Sequence, residues 1–217
     1  MQKGIFITGI DTDIGKTWLG QQLISGLLNK GVDVVPRKPI ESGWVETVAL
    51  TDAGKLAQAA HKTTDKELRQ TCNYRLQAAI SPVRAARLEK RHICLQQLIT
   101  HCFSHITKQQ FLYIEGAGGF YSPIAEDGLN ADLAERLALP IIIVAEDRLG
   151  CINQILLTIE AAQRRKLTIL AVFLNKRTEV SSPSLMDNQS DLQEYTTVPI
   201  IDAVNELVEI LYSTNYQ

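Results

Sequence analysis

One short segment near the amino terminus restricts the possible folds of this chain more than any other. Residues 9–17 read Gly-Ile-Asp-Thr-Asp-Ile-Gly-Lys-Thr and resemble the pattern GxxxxGK(S/T), with five residues in place of four between the two glycines. An apolar run at residues 4–8 precedes the segment and predicts a buried strand. Residues 18–29 follow with apolar side chains at helical spacing, and Gly31 stands where that helix would end. A strand, a glycine-containing loop and a helix in this order are typical of α/β folds.

Strand-like and helix-like segments alternate along the rest of the chain. Their patterns predict strands at residues 32–35, 111–114, 140–145, 168–174 and 198–201, and helices at residues 52–61, 93–106, 129–139 and 152–165. Two further helices are expected to start at Ser81-Pro82 and at Asp202. The alternation predicts a mostly parallel sheet flanked by helices, the three-layer α/β fold of P-loop NTPases. Because no flexible linker divides the sequence, we expect a single domain over residues 1–217.

Composition argues against several classes of function. The formal net charge is −2, so no global field attracts nucleic acid or an anionic membrane. A basic bias at residues 62–91 is either a solvated helical surface or an attraction for an acidic substrate or a nucleotide. The four cysteines form no CxxC pair, and no apolar run is long enough to span a bilayer. With no signal peptide expected before the first strand, we expect a cytoplasmic protein with free thiols.

The glycine-containing loop has the chemistry of a phosphate site. Its glycines let the backbone wrap around a phosphate, so that successive N–H groups point inward. The following helix directs its positive end at the same place. Lys16 can neutralise the β- and γ-phosphates, and the Thr17 hydroxyl can ligate Mg²⁺. We therefore expect ATP and Mg²⁺ as bound cofactors.

A carboxylate at the end of a predicted strand is the next candidate. Glu115 directly follows the strand at residues 111–114, and the carboxyl edge of an open α/β sheet holds the ligand crevice. A carboxylate there can hold Mg²⁺, as the acidic residue of a Walker-B strand does. Gly116, Gly118 and Gly119 follow and let the backbone approach a ligand. The alternative is a surface glutamate at a strand end.

Four further features each have an ordinary alternative. Lys38 ends a strand and is either a second cation for phosphoryl transfer or merely solvated. Asp52 either serves the site or only caps its helix. The helix start at residues 149–153 is either a carboxylate site or a plain turn. Asn175, beside Lys176, either reads an adenine edge or is an unremarkable turn residue.

Taken together, these motifs resemble those of the dethiobiotin synthetase family. The motifs match in their order and approximate spacing, and the length of the chain matches too. The resemblance therefore covers nearly the whole chain. Beyond the loop, its most specific parts are Lys-Pro-x-x-Ser-Gly and Leu-Gly-Cys-Ile-Asn. The matching segments are residues 8–17, Lys38-Pro39-Ile40-Glu41-Ser42-Gly43, Thr51-Asp52-Ala53, Ser81-Pro82, Glu115-Gly116-Ala117-Gly118-Gly119, Leu149-Gly150-Cys151-Ile152-Asn153 and Asn175.

The resemblance implies an ATP- and Mg²⁺-dependent ligase of biotin synthesis that acts on 7,8-diaminononanoate and CO2. One amine captures CO2 as a carbamate, whose oxygen attacks the γ-phosphate to give a carbamic–phosphoric anhydride. The second amine closes the ureido ring and expels phosphate. The products are dethiobiotin, ADP and phosphate.

The resemblance also implies roles for individual residues. Lys16, Lys38 and Thr12 would be catalytic, the lysines by stabilising the carbamate and the transferring phosphoryl group. Thr17, Asp52 and Glu115 would surround Mg²⁺. Residues implied to contact the nucleotide are Thr12, Asp13, Ile14, Gly15, Lys16, Thr17, Asp52, Glu115, Gly116, Ala117, Gly118, Asn175, Lys176 and Pro199.

Substrate binding would involve two copies of the chain. The resemblance implies a homodimer with its active sites at the interface. Ser42 would hold the head of the substrate. The substrate carboxylate would be bound by the neighbouring subunit through the helix start formed by Leu149, Gly150, Cys151, Ile152 and Asn153.

Two other classes of protein share a similar loop. Partitioning-type interaction ATPases usually carry a second lysine early in the loop, where this chain has Ile10. Cobyrinate-synthetase-like ligases add a glutaminase domain, for which 217 residues leave no room. Both features favour the synthetase interpretation over these alternatives.

Overall fold

The central sheet explains why the predicted strands are apolar throughout. The computed structural model describes residues 2–176 and 185–216, and the strands in that part are β1 Gly4–Gly9, β2 Val34–Arg37, β3 Ile40–Ser42, β4 Tyr74–Leu76, β5 Phe111–Glu115, β6 Pro123–Ala125, β7 Gly128–Leu129, β8 Ile141–Glu146, β9 Ile169–Asn175 and β10 Ile200–Ile201. Six of these strands run parallel in the order β10-β9-β8-β1-β5-β2. The predicted parallel sheet is confirmed, with β1 between β5 and β8 at its centre.

Helices cover both faces of this sheet. In the described residues they are α1 Lys16–Asn29, α2 Asp52–Ala59, α3 Asp65–Thr71, α4 Pro82–Leu88, α5 Leu95–Phe103, α6 Asn130–Leu137, α7 Cys151–Arg164, α8 Asn188–Gln193 and α9 Val204–Tyr216. Side chains of β1 alternate between the faces: Ile5 and Ile7 belong to the core cluster that includes side chains of α1 and α9, whereas Phe6 belongs to the cluster that includes side chains of α5, α6 and α7. The three-layer prediction is confirmed.

Helix α1 is held close to the sheet, which fixes the loop before it. Gly15 ends the loop at φ +94°, a left-handed conformation that favours glycine. Along α1, a Cβ at Gly20 would lie 2.2 Å from the Tyr113 hydroxyl, so the helix packs directly on β5. The amino terminus of α1 therefore stays at the carboxyl edge of β1.

Strand β2 differs from the sequence prediction. It covers Val34–Arg37 and not residues 32–35, because its register is set by pairing with β5, from Val34 beside Phe111 to Arg37 beside Ile114. Pro36 is tolerated because β2 is the edge strand and needs only one set of hydrogen bonds. Lys38 consequently stands immediately beyond the strand.

Several local features were not predicted from the sequence. The small sheets β3–β4 and β6–β7 have strands of two or three residues, too short for a periodic pattern. Ser81 does precede α4, with Pro82 in its first turn, but the Ser81 side chain makes no capping hydrogen bond.

Throughout residues 2–176 and 185–216, no helix combines the length and the apolar character that crossing a membrane would require.

Candidate active site

A cleft of about 1120 Å³ lies where β1, β2 and β5 end at the carboxyl edge of the sheet. The parallel order of these strands brings their terminal residues together from distant parts of the sequence. The predicted site residues that line the cleft are Thr12, Asp13, Gly15, Lys16, Thr17, Lys38, Ser42, Asp52, Glu115, Ala117, Gly118, Asn175 and Lys176.

The centre of the cleft is an ammonium group held by carboxylates. Lys38 Nζ lies 2.5 Å from Glu115 Oε1 and 3.2 Å from Asp52 Oδ2, and it donates to the carbonyl oxygen of Gly116 at 3.2 Å. The Lys38 and Glu115 side chains are 5% and 0% exposed. Such a pair is short and charge-assisted, so it fixes both side chains at the base of the cleft.

Charge on Lys38 is maintained by these neighbours. Burial alone would lower the Lys38 pKa, but the carboxylates of Glu115 and Asp52 outweigh it and raise that pKa above its ordinary value. Asp52 responds in the opposite sense: burial would raise its pKa, and the Lys38 charge brings it below its ordinary value. Lys38 is thus a permanent cation at neutral pH.

Lys16 has a different electrostatic environment. Burial, reinforced by the Lys38 charge, lowers the Lys16 pKa to about 8. Its Nζ donates to the carbonyl oxygen of Asp11 at 2.6 Å, within its own loop. A bound anion would stabilise the charged form of Lys16, so the residue is suited to receiving a phosphate.

Oxygen atoms that could bind a metal ion lie around the Glu115 carboxylate. The Thr17 hydroxyl donates to Glu115 Oε1 at 2.8 Å, and the Tyr113 hydroxyl donates to Glu115 Oε2 at 3.3 Å. Hydroxyl and carboxylate oxygens are the ligands that Mg²⁺ prefers, usually together with phosphates of a nucleotide. Across residues 2–176 and 185–216, no group of three or more His, Cys, Asp and Glu side chains could hold a metal alone. Thr17, Asp52 and Glu115 therefore fit Mg²⁺ that arrives with a nucleotide.

At the other end of the cleft, Asn175 braces the loop. Its amide Nδ2 donates to the carbonyl oxygen of Ile14 at 2.9 Å, and a Cβ at Gly15 would lie only 2.0 Å from the same nitrogen. Beside it, Lys176 pairs with Asp202 at 2.6 Å, which places Asp202 in an ion pair two residues before α9. Asn175 thus holds the shape of the loop. Its contact with adenine remains a prediction.

Three of the predicted nucleotide contacts, Ile14, Gly116 and Pro199, lie outside the cleft lining. The Ile14 side chain is buried under the loop. The carbonyl oxygen of Pro199 accepts a hydrogen bond from the Val172 N–H at 2.8 Å, as part of the β9–β10 pairing. Contacts of these three residues with a nucleotide remain predictions.

The helix start at Leu149, Gly150, Cys151, Ile152 and Asn153 does not line the cleft of its own chain. Gly150 adopts φ +86° and allows the chain to enter α7, whose first residue, Cys151, is buried. Leu149 is 76% exposed. Their assignment to a neighbouring subunit's site remains a prediction.

Several residues in or beside the cleft carried no predicted role. Glu41 and Trp18 line it, and Tyr113 contacts Glu115 from within β5. Glu41 had a signal, since it stands inside the segment Lys-Pro-x-x-Ser-Gly beside Ser42. Tyr113 had none, because it reads as one more apolar residue of a buried strand.

Comparison with known proteins finds relatives along nearly the whole chain. A family model described as an AAA domain matches residues 3–210. The ATP-dependent dethiobiotin synthetase BioD of Vesicomyosocius okutanii is 36% identical over 204 residues, 92% of this chain and 88% of that protein. The enzymes of the same description from Anaeromyxobacter sp. strain Fw109-5 and Cellvibrio japonicus are 35% and 34% identical, covering 89% and 95% of this chain and 86% and 90% of theirs.

Proposed function

The chain belongs to the family of ATP-dependent dethiobiotin synthetases, and we propose that its cleft carboxylates 7,8-diaminononanoate and closes the ureido ring at the expense of ATP. The observation that carries this proposal is the Lys38 ammonium, buried between Glu115 and Asp52 in the same cleft as Lys16 and Thr17. Two anionic groups form during the reaction, a carbamate and the phosphoryl group that is transferred to it. A permanent cation beside the phosphate loop stabilises both.

The phosphate loop would bind the nucleotide. Backbone N–H groups of residues 12–17 and the positive end of α1 would hold the phosphates, with Lys16 at the β- and γ-phosphates. Thr17, Asp52 and Glu115 would hold Mg²⁺, which would neutralise charge on the nucleotide when bound. Asn175 supports this arrangement because it keeps the loop in its bent form from behind.

Lys38 would act on the carbamate. One amine of the substrate attacks CO2 and loses a proton, which leaves a carbamate anion. Lys38 and Lys16 would hold its oxygens in line with the γ-phosphorus, so that a P–O bond forms as ADP leaves. The second amine then attacks the carbamoyl carbon and phosphate departs. Ser42 and Thr12, both in the cleft wall, would orient the amine end.

A second copy of the chain would complete the site. We propose a homodimer in which residues 149–153 of one chain bind the substrate carboxylate in the other chain's cleft. The exposure of Leu149 and the amino terminus of α7 support this, because backbone N–H groups at a helix start attract a carboxylate. The four free cysteines accord with a reducing cytoplasm, which we propose as the location.

Substrate dependence tests the proposal. Purified protein with MgATP should release ADP only when bicarbonate and 7,8-diaminononanoate are both present, with dethiobiotin formed in equal amount. Coupled ADP assays and mass spectrometry measure the two products. Equal ADP release without the diamine, or no dethiobiotin with it, would contradict the proposed reaction.

A further inference from the structure

The first turn of α2, which carries Asp52, is held by a buried side chain from another element. Glu41 Oε1 accepts a hydrogen bond from the Asp52 N–H at 2.7 Å, and Glu41 Oε2 accepts one from the Ala53 N–H at 2.9 Å. Glu41 is 7% exposed. Both carboxylate oxygens are therefore used to hold two consecutive backbone groups at the helix start.

Other contacts complete the attachment of this helix start. The Thr51 hydroxyl accepts from the Gly54 N–H at 3.0 Å, and the Lys55 N–H bonds to the Thr51 carbonyl oxygen. The free N–H groups of the first turn are thus paired within the protein, and α2 offers no open anion site here. A Cβ at Gly54 would lie 1.9 Å from the Val48 carbonyl oxygen, so the turn before the helix packs tightly against it.

Glu41 is itself fixed by secondary structure. It is the middle residue of β3, which pairs in parallel with β4 and places Glu41 beside Arg75. Between Glu41 and Lys38 lie only Pro39 and Ile40, and the Lys38 N–H donates to the Thr71 carbonyl oxygen. One short segment therefore supplies both the central ammonium and the group that orients its second carboxylate partner.

From this geometry we propose that Glu41 is a positioning residue that aims Asp52 at Lys38 and at the nucleotide-bound Mg²⁺. Two hydrogen bonds to adjacent N–H groups fix the backbone of Asp52, and this sets the direction of its side chain, which is 39% exposed and would otherwise rotate into solvent. The inference rests on the proposed role of Asp52 at Mg²⁺. It gives Glu41 a function in the reaction without contact with the reacting atoms.

The test is a Mg²⁺ titration of the binding of a non-hydrolysable ATP analogue, measured by calorimetry on the full chain. Glu41→Gln keeps the shape of the side chain but replaces one acceptor oxygen by a donor facing an N–H. It should raise the half-saturating Mg²⁺ concentration about 10-fold, the usual effect of losing a group that orients a metal ligand. In turnover, kcat should fall while KM for the diamine stays near that of the wild type. Glu41→Asp, which keeps the charge but shortens the reach, should shift the Mg²⁺ dependence in the same direction.

Thr51→Ala is the matched control, because it removes the other side-chain cap of the same helix end and leaves Glu41 in place. It should lower Tm without altering the Mg²⁺ dependence, whereas Asp52→Asn should alter it at least as much as Glu41→Gln. If Glu41→Gln behaves like Thr51→Ala while Asp52→Asn still shifts the Mg²⁺ dependence, the positioning role is wrong and the proposed function stands. A change in the KM for the diamine alone would also overturn it, in favour of direct substrate contact. If Asp52→Asn has no effect on Mg²⁺, the proposed metal site fails and the inference fails with it.

Discussion

The two ends of the proposed active site differ in how much of them one chain supplies. At the phosphate end, the side chains of Lys38 and Glu115 are 5% and 0% exposed and are fixed by bonds to Asp52, Thr17 and their neighbours. At the start of α7, Leu149 is 76% exposed and its segment does not line that cleft. The side chains of the first region are already held by other groups of the same chain. The second region is a helix start that does not contact the cleft of its own chain. Chemistry and recognition of the substrate tail are therefore separable by mutation.

The largest effect is expected at the centre of the phosphate end. Lys38→Ala removes the cation proposed for the carbamate and the phosphoryl group, so turnover should fall about 10²- to 10³-fold. It also leaves the buried Glu115 carboxylate without its partner, which should lower the free energy of unfolding by about 3 kcal/mol. Steady-state kinetics and urea unfolding measure the two effects.

A second change separates stability from catalysis at this position. Adding Glu115→Gln to Lys38→Ala removes the unpaired buried charge, so much of the lost stability should return while turnover stays low. Turnover at the wild-type rate in the single variant would remove Lys38 from the mechanism. An unchanged unfolding curve in that variant would show that the buried pair is not formed in solution.

A smaller effect is expected where the loop meets α1. Gly15→Ala forces a left-handed conformation on alanine, at about 1–2 kcal/mol, and its Cβ would displace the Asn175 amide from Ile14. The affinity for ADP should fall about 10-fold, equivalent to about 1.4 kcal/mol. Isothermal titration with MgADP measures it.

Gly31→Ala is the control for backbone strain. Gly31 also has a positive φ, +79°, but a Cβ there meets nothing within 4 Å. Both variants should lose stability, and only Gly15→Ala should lose affinity for ADP. An equal loss of ADP affinity in both variants would mean that the contact between Gly15 and Asn175 does not shape the loop.

The smallest effect on the folded chain is expected at the start of α7. Asn153→Asp adds a negative charge at an exposed position in the first helical turn, where the helix dipole tolerates it. Stability should change by less than about 0.5 kcal/mol, and the affinity for ADP should not change. The KM for the diamine should rise about 10-fold by repulsion of its carboxylate, roughly 1.4 kcal/mol. An unchanged KM would separate this segment from substrate binding.

The contrast between the two regions also explains what the sequence could predict. The motif at residues 9–17 and the alternation of segments are local patterns, so the six strands of the central sheet and most of the helices beside them followed from these patterns, whereas β3, β4, β6, β7, α3 and α8 did not. Lys38, Asp52 and Glu115 were each predicted at an element end, but their ion pairs were not. Lys38 and Glu115 meet because β2 pairs with β5, and β5 separates β2 from β1 in the sheet although it comes much later in the sequence.

Glu41 illustrates the same limit more sharply. Its bonds to Asp52 and Ala53 depend on the position of α2 relative to β3, which no periodicity encodes. For residues 149–153, the local pattern identified a helix start correctly. What that start binds depends on another molecule, and so it lies beyond both the sequence pattern and the fold of one chain.

Mixing two impaired variants tests most directly the central claim that each active site combines the phosphate end of one chain with the α7 start of another. Lys38→Ala and Asn153→Asp proteins would be mixed, allowed to exchange subunits, and assayed at low diamine concentration. After random exchange about half of the dimers contain one chain of each variant. Each such heterodimer has one intact site out of two, so the activity should approach about a quarter of that of the wild type. Activity no higher than the average of the two separate variants would contradict the claim and place each complete site within a single chain.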